Sequence, residues 1–271
     1  MKTRILSAAI ALPLFLAVLL VPVTWPTALL LAAMCAIGAR ELLWATGLVP
    51  HKRLVAYAMA CGALVCLWSY LGCPRWLGLA GVTAFFLALA GELLAAHAKL
   101  SFSEIAATAF AGLLVPLLLS ALVRIRCMEH GAALIFMPLV LAFTSDSGAY
   151  FAGRAFGKHK LAPVISPKKT VEGAIGGVAS TVLFVLLYGL VLQLACGFQV
   201  HYWAGLVYGI AGAVCGMVGD LTFSVVKRQA GIKDYGNVLP GHGGVLDRFD
   251  SMVAVAPVAE LLLLVLPFAV K

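Results

Sequence analysis

The chain has 271 residues, of which 63% are hydrophobic and 11% charged, and its formal net charge is +8. Soluble domains carry about a quarter charged residues, so this composition excludes one and points to an all-α, polytopic integral membrane protein. The positive balance is not a nucleic-acid footprint, because the cations sit in short loops between apolar runs, as membrane topology demands.

A spanning helix needs about 20 apolar residues. Nine segments meet that measure: 5–23, 26–46, 54–71, 76–96, 104–123, 131–151, 172–195, 202–219 and 250–269. Met1-Lys2-Thr3-Arg4 before the first segment resembles the start of a signal peptide, but a second apolar run follows at once, so an uncleaved first helix is expected. The second segment carries Arg40-Glu41, which must face protein or water and reads as an internal structural tie. Glu92, Glu104 and Glu260 are weaker candidates of the same kind. The seven cysteines include no CxxC and lie far from the histidines, which argues for apolar packing and against zinc.

Placing the N-terminus in the cytoplasm puts fourteen cations inside: Lys2, Arg4, Lys52, Arg53, Lys99, Arg154, Lys158, Lys160, Lys168, Lys169, Lys227, Arg228, Lys233 and Arg248. Four remain outside, namely Arg75, Arg124, Arg126 and Lys271. That asymmetry sets the orientation, with the C-terminus outside. The expected organisation is an N-terminal transmembrane bundle over 1–100 and a catalytic transmembrane region over 101–271. The latter carries two cytoplasmic loops, 151–170 and 220–249, which hold most of the unusual chemistry.

In the later loop Asp220, Ser224 and Lys227 fall on one helical face, followed by Arg228, Lys233 and Asp234. Gly241-His242-Gly243-Gly244 then precedes Asp247, Arg248 and Asp250. Glycines let backbone approach a ligand and turn N–H groups toward an anion. Carboxylate oxygens suit Mg²⁺, which takes one or two of them and completes its shell with water and phosphate. Such a group reads as a metal–polyphosphate site, against the plainer alternative of topology markers and helix caps. In the earlier loop Ser145-Asp146-Ser147 lies inside an apolar segment, with Tyr150 one turn on. Ser166-Pro167-Lys168-Lys169-Thr170 leads into the next segment, Thr170 as its N-cap and Glu172 in its first turn. Lys168 and Lys169 can neutralise phosphate, or mark a polybasic loop at anionic lipid.

Ser224-x-x-Lys227-Arg228-x4-Lys233-Asp234, followed by Pro240-x-His242-Gly243-Gly244-x-x-Asp247-Arg248-x-Asp250, resembles the signature of the phosphatidate cytidylyltransferases, or CDP-diacylglycerol synthases. The stretch from Ser145-Asp146 to Glu172-Gly173 is similar to a second region of that family, with Ser147 where many relatives carry Thr. The matches cover the C-terminal half. The resemblance implies that CTP and phosphatidic acid give CDP-diacylglycerol and pyrophosphate with Mg²⁺, with room for a monovalent cation such as K⁺ beside it. It places the metal on Asp220 and Asp247, and it implies a homodimer in the bacterial inner membrane whose site opens to the cytoplasm. Lys227, Arg228, Lys233 and Arg248 would screen phosphate, with Asp220 and Asp247 at the reacting centre. Ser145, Asp146, Lys168, Lys169, Ser224, His242, Gly243, Gly244 and Asp250 are expected around the substrates, His242 orienting and not deprotonating. A CTP-dependent polyprenol or phytol kinase is the nearest rival. A secondary transporter is the rival from another class, but the chemistry clusters in one half of the chain and no repeat is evident.

Overall fold

Among the described residues, seven helices are long and apolar enough to cross a bilayer: α1 (Trp25–Ala45), α2 (Lys52–Leu71), α3 (Arg75–Ala95), α4 (Phe102–Cys127), α5 (Gly131–Phe156), α6 (Val171–Cys196) and α7 (Tyr202–Gln229). Two shorter helices follow, α8 (Leu246–Phe249) and α9 (Met252–Val265). The computed structural model describes residues 13–238, 241 and 243–271. Most of the expected first span, 5–23, lies outside them, though 13–20 is helical.

The elements depart from the sequence reading in three places. The expected last span, 250–269, is a helix of 14 residues. At about 1.5 Å per residue it is about 21 Å long, short of a hydrocarbon core of about 30 Å. The chain after it closes a two-residue pair between β3 (Gln199–Val200) and β4 (Ala269–Val270). The expected loop 220–249 begins only after Gln229, because α7 runs unbroken through Asp220, Ser224, Lys227 and Arg228. The expected loop 151–170 starts with the last turns of α5 and then forms a hairpin, β1 (Lys160–Ala162) paired with β2 (Ser166–Thr170).

The chain divides into two units, Met1–Cys127 with Gln229–Phe249, and Met128–Arg228 with Asp250–Lys271. This division falls at residue 127, whereas the sequence reading drew its line at 100. Helix α4 belongs with α1 and α2, against which it packs. A bonding shift inside α4 has a local cause. Pro116 lacks an N–H, so the α-helical bond to Gly112 cannot form. The preceding turn widens into a π-helical stretch, Phe110–Leu114. Gly112 there lies so close to α2 that a Cβ on it would sit 2.6 Å from the Ala58 Cα.

In the second unit α5 and α6 are the most extensively packed pair. Helix α7 presents glycines at alternating spacings of four and three: Gly205, Gly209, Gly212, Gly216 and Gly219. That repeat keeps them on one side of the helix. A Cβ on Gly209 would lie 2.6 Å from the Val182 side chain, one on Gly212 2.7 Å from Leu141, and one on Gly219 2.9 Å from the Asp250 carbonyl. This row of bare backbone ends where Asp220 begins, and so draws that carboxylate against its neighbours.

Candidate functional site

The second unit gathers three aspartates and two lysines. Asp220 and Ser224 lie one turn apart on α7, and the Ser224 hydroxyl donates to Asp220 Oδ1 at 3.2 Å. The Lys169 ammonium, at the end of β2, forms an ion pair with Asp220 Oδ2. Lys227, two turns beyond Asp220, reaches Asp250 Oδ2 at 3.4 Å. Asp250 is buried before the start of α9, and its Oδ1 accepts the Ser251 N–H at 2.9 Å. The Ser251 hydroxyl donates to Asp146 Oδ2 at 3.4 Å. Burial, and next the Asp220 carboxylate, push the Asp250 carboxyl up to about 7, while the Lys227 ammonium pulls it down. Three carboxylates and two ammonium groups thus share this region, a donor set that suits a cation or a cation–phosphate complex.

The hairpin that carries Lys169 is held at both ends. Glu172, in the first turn of α6, accepts the Lys158 N–H at 3.0 Å and meets His159 Nδ1 at 2.6 Å. Arg228 donates from Nε to the Ile165 carbonyl at 3.2 Å, near the hairpin tip. Thr170 caps α6 by accepting the Gly173 N–H at 3.1 Å, as its position predicts. Arg228 thus spends one donor on backbone, which the sequence reading had given to phosphate. Lys168 is exposed, Ser145 is buried, and Asp146 is exposed on the α5 surface, not enclosed as its apolar context suggested.

The first unit holds the glycine-rich turn. Asp247 is buried, and its Oδ2 accepts the N–H groups of Tyr235 at 2.7 Å and Gly244 at 3.0 Å. Gly243 adopts φ +89°, which a side chain rarely tolerates. Lys233, Asp234 and Arg248 are exposed, and His242 lies outside the described residues. Glu41 emerges as an organiser of this turn. Its carboxylate accepts the Val245 N–H at 3.0 Å and the Leu246 N–H at 2.9 Å, the opening donors of α8. It satisfies orphan N–H groups and sits at the positive end of the short helix. Gly236 and Gly244 press against it, since a Cβ on either would lie 2.5 Å from a carboxylate oxygen. Arg40, its sequence neighbour, instead lies over the Trp44 ring at 5.7 Å. The expected Arg40–Glu41 tie is replaced by a tie from Glu41 to the turn.

The donor set suits Mg²⁺ in kind, since every carboxylate in it offers hard oxygen. Among the described residues no three such side chains form a ready ligand cluster.

The fold is that of a polytopic α-helical membrane protein with carboxylates and lysines drawn together from several elements. A family model described as the cytidylyltransferase family matches residues 2–266. The chain is 35% identical over 272 residues to the phosphatidate cytidylyltransferase of Bacillus subtilis (strain 168), covering 97% of each. It is 34% identical over 271 residues to that of Staphylococcus haemolyticus (strain JCSC1435), covering 97% of this chain and 99% of the relative. With that of Haemophilus influenzae it shares 41% identity over 128 residues, 47% of this chain. The chain belongs to the cytidylyltransferase family.

Proposed function

We propose that this chain is a phosphatidate cytidylyltransferase, transferring CMP from CTP to phosphatidic acid. A phosphate oxygen of the lipid bonds to the α-phosphorus of CTP, the bond from that phosphorus to the bridging oxygen breaks, and pyrophosphate leaves. The observation that carries this reading is the set of Asp146 on α5, Lys169 on β2, Asp220 and Lys227 on α7 and Asp250 just before α9, joined by ion pairs and hydrogen bonds in a membrane protein. Two anions must approach one another, so charge neutralisation is the main barrier. Lys169 and Lys227 begin paired with carboxylates and can turn toward phosphate as it arrives. The lipid phosphate is already ionised near neutral pH, so no strong base is needed.

Mg²⁺ on Asp220 and Asp247, with a monovalent ion such as K⁺ beside it, belongs to this proposal. When bound it would supply positive charge to the α-phosphate and the departing pyrophosphate. Asp146 and Asp250 add oxygen donors in the neighbourhood of Asp220. The proposal also includes a homodimer in the inner membrane, with the N-terminus and the site on the cytoplasmic side, as the cation asymmetry favours. The test supplies detergent-purified protein with CTP labelled in cytosine and with phosphatidic acid. Labelled CDP-diacylglycerol is expected, and EDTA should stop its formation. Release of CDP together with a phosphorylated lipid alcohol would overturn the reading in favour of a lipid kinase.

A further inference from the structure

Glu172 does more than complement the first turn of α6. An acid there interacts favourably with the helix dipole without reaching any other segment. This carboxylate instead extends back across the loop and takes three donors at the foot of the hairpin. Its Oε2 accepts the Lys158 N–H at 3.0 Å and the His159 N–H at 3.2 Å, and its Oε1 meets His159 Nδ1 at 2.6 Å. Alongside, the Val171 N–H donates to the His159 carbonyl at 2.9 Å. Lys158 and His159 are exposed, so water could satisfy their amides. The bonds therefore fix geometry and do not relieve buried polar groups.

The hairpin needs such a fix. Two strands alone are marginally stable. Here β1 has three residues and β2 five, and their pairing is irregular between Lys160↔Thr170 and Ala162↔Ser166. Arg228 holds only the tip, at the Ile165 carbonyl. Successive side chains of a strand face opposite ways, so a slip of one residue exchanges the faces. Thr170 caps α6, and Lys169 beside it pairs with Asp220. If β2 slips by one residue, Lys169 takes the face now held by Thr170 and leaves Asp220. Glu172 pins the residues next to the Lys160↔Thr170 pair, which is the pair adjoining Lys169. We propose that Glu172 is a positioning residue for cytidylyl transfer: by pinning Lys158 and His159 it fixes the hairpin register that keeps Lys169 on Asp220. The inference rests on the proposed function for its turnover readout alone.

The test compares the full chain in detergent as wild type, Glu172→Gln, Lys169→Met and the double variant. Glutamine keeps the shape but turns an NH₂ group toward donors that need an acceptor. Amide hydrogen exchange over 158–160 should quicken at least about tenfold in Glu172→Gln. Turnover of CTP with phosphatidic acid should fall at least about tenfold in that variant. The same change made on Lys169→Met should cost less than about twofold, because the residue acts through that lysine. His159→Ala removes the shortest of the three bonds from an exposed side chain, so it should loosen the same amides by a smaller factor even if Glu172→Gln folds poorly. His159→Asn, whose amide nitrogen can donate in place of Nδ1, should restore protection. Wild-type exchange over 158–160 in Glu172→Gln would overturn the proposal whatever the turnover. So would a tenfold loss repeated in the Lys169→Met background, which would mean a role apart from that lysine. If wild-type protein makes no CDP-diacylglycerol, the functional reading fails, and the exchange result alone decides whether Glu172 pins the hairpin.

Discussion

Replacing Glu41 with alanine removes a carboxylate from α1 that holds the turn ahead of Asp247. Two charge-assisted bonds are lost, to Val245 N and Leu246 N, and the Leu246 N–H is left buried without that partner. Each such bond contributes about 1.5–3 kcal/mol, so the gross loss is about 3–6 kcal/mol. Part returns because a buried carboxylate no longer has to be desolvated. A net local loss of about 2–4 kcal/mol should loosen the 235–246 turn without unfolding α1, whose apolar packing is unchanged. Glu41→Gln keeps the shape and one acceptor oxygen, so about half the effect is expected. Hydrogen exchange on the detergent-solubilised protein should show faster exchange at Tyr235 and at 244–246, and turnover should fall at least about tenfold in the alanine variant. Gly244→Ala, which drives a Cβ into the same carboxylate, should behave alike. Wild-type protection and turnover in Glu41→Ala would refute the idea that this residue organises the turn.

Asp220→Asn and Asp247→Asn keep shape but remove charge; each should lose at least about a hundredfold in turnover at saturating Mg²⁺, since a bound metal contributes several kcal/mol to the transition state. Near-wild-type rates in both, with expression intact, would remove the metal assignment. Thr170→Ala deletes the cap of α6 and should lower stability by about 1 kcal/mol, seen as a reduced melting temperature in detergent. A reporter fused after Lys271 should read periplasmic and one inserted near His159 cytoplasmic; a cytoplasmic C-terminus would mean an odd error in the span count.

Spans and caps were legible because bilayer thickness and capping chemistry act locally. Seven apolar runs became seven helices that begin within about two residues of the expected starts, and Thr170 fell where an N-cap belongs. The helical face shared by Asp220, Ser224 and Lys227 was legible for the same reason, since 3.6-residue periodicity needs no tertiary information. Partnerships across long separations were not. Nothing local links Glu41 to Leu246, 205 positions away, and the adjacent Arg40 offered a more obvious partner. Nor could the pattern show that Arg228 would turn to the Ile165 carbonyl, or that the final apolar stretch would stop at Val265.

The glycine row on α7 has a consequence in genetics. Any missense change at Gly209, Gly212 or Gly219 adds at least one carbon, and the space for it is already taken by Val182, Leu141 or the Asp250 backbone. These three codons therefore have no conservative neighbour. Alleles there would separate the helix from its surroundings and carry Asp220 away with it, so a lesion in what looks like inert membrane filler would present as a catalytic null.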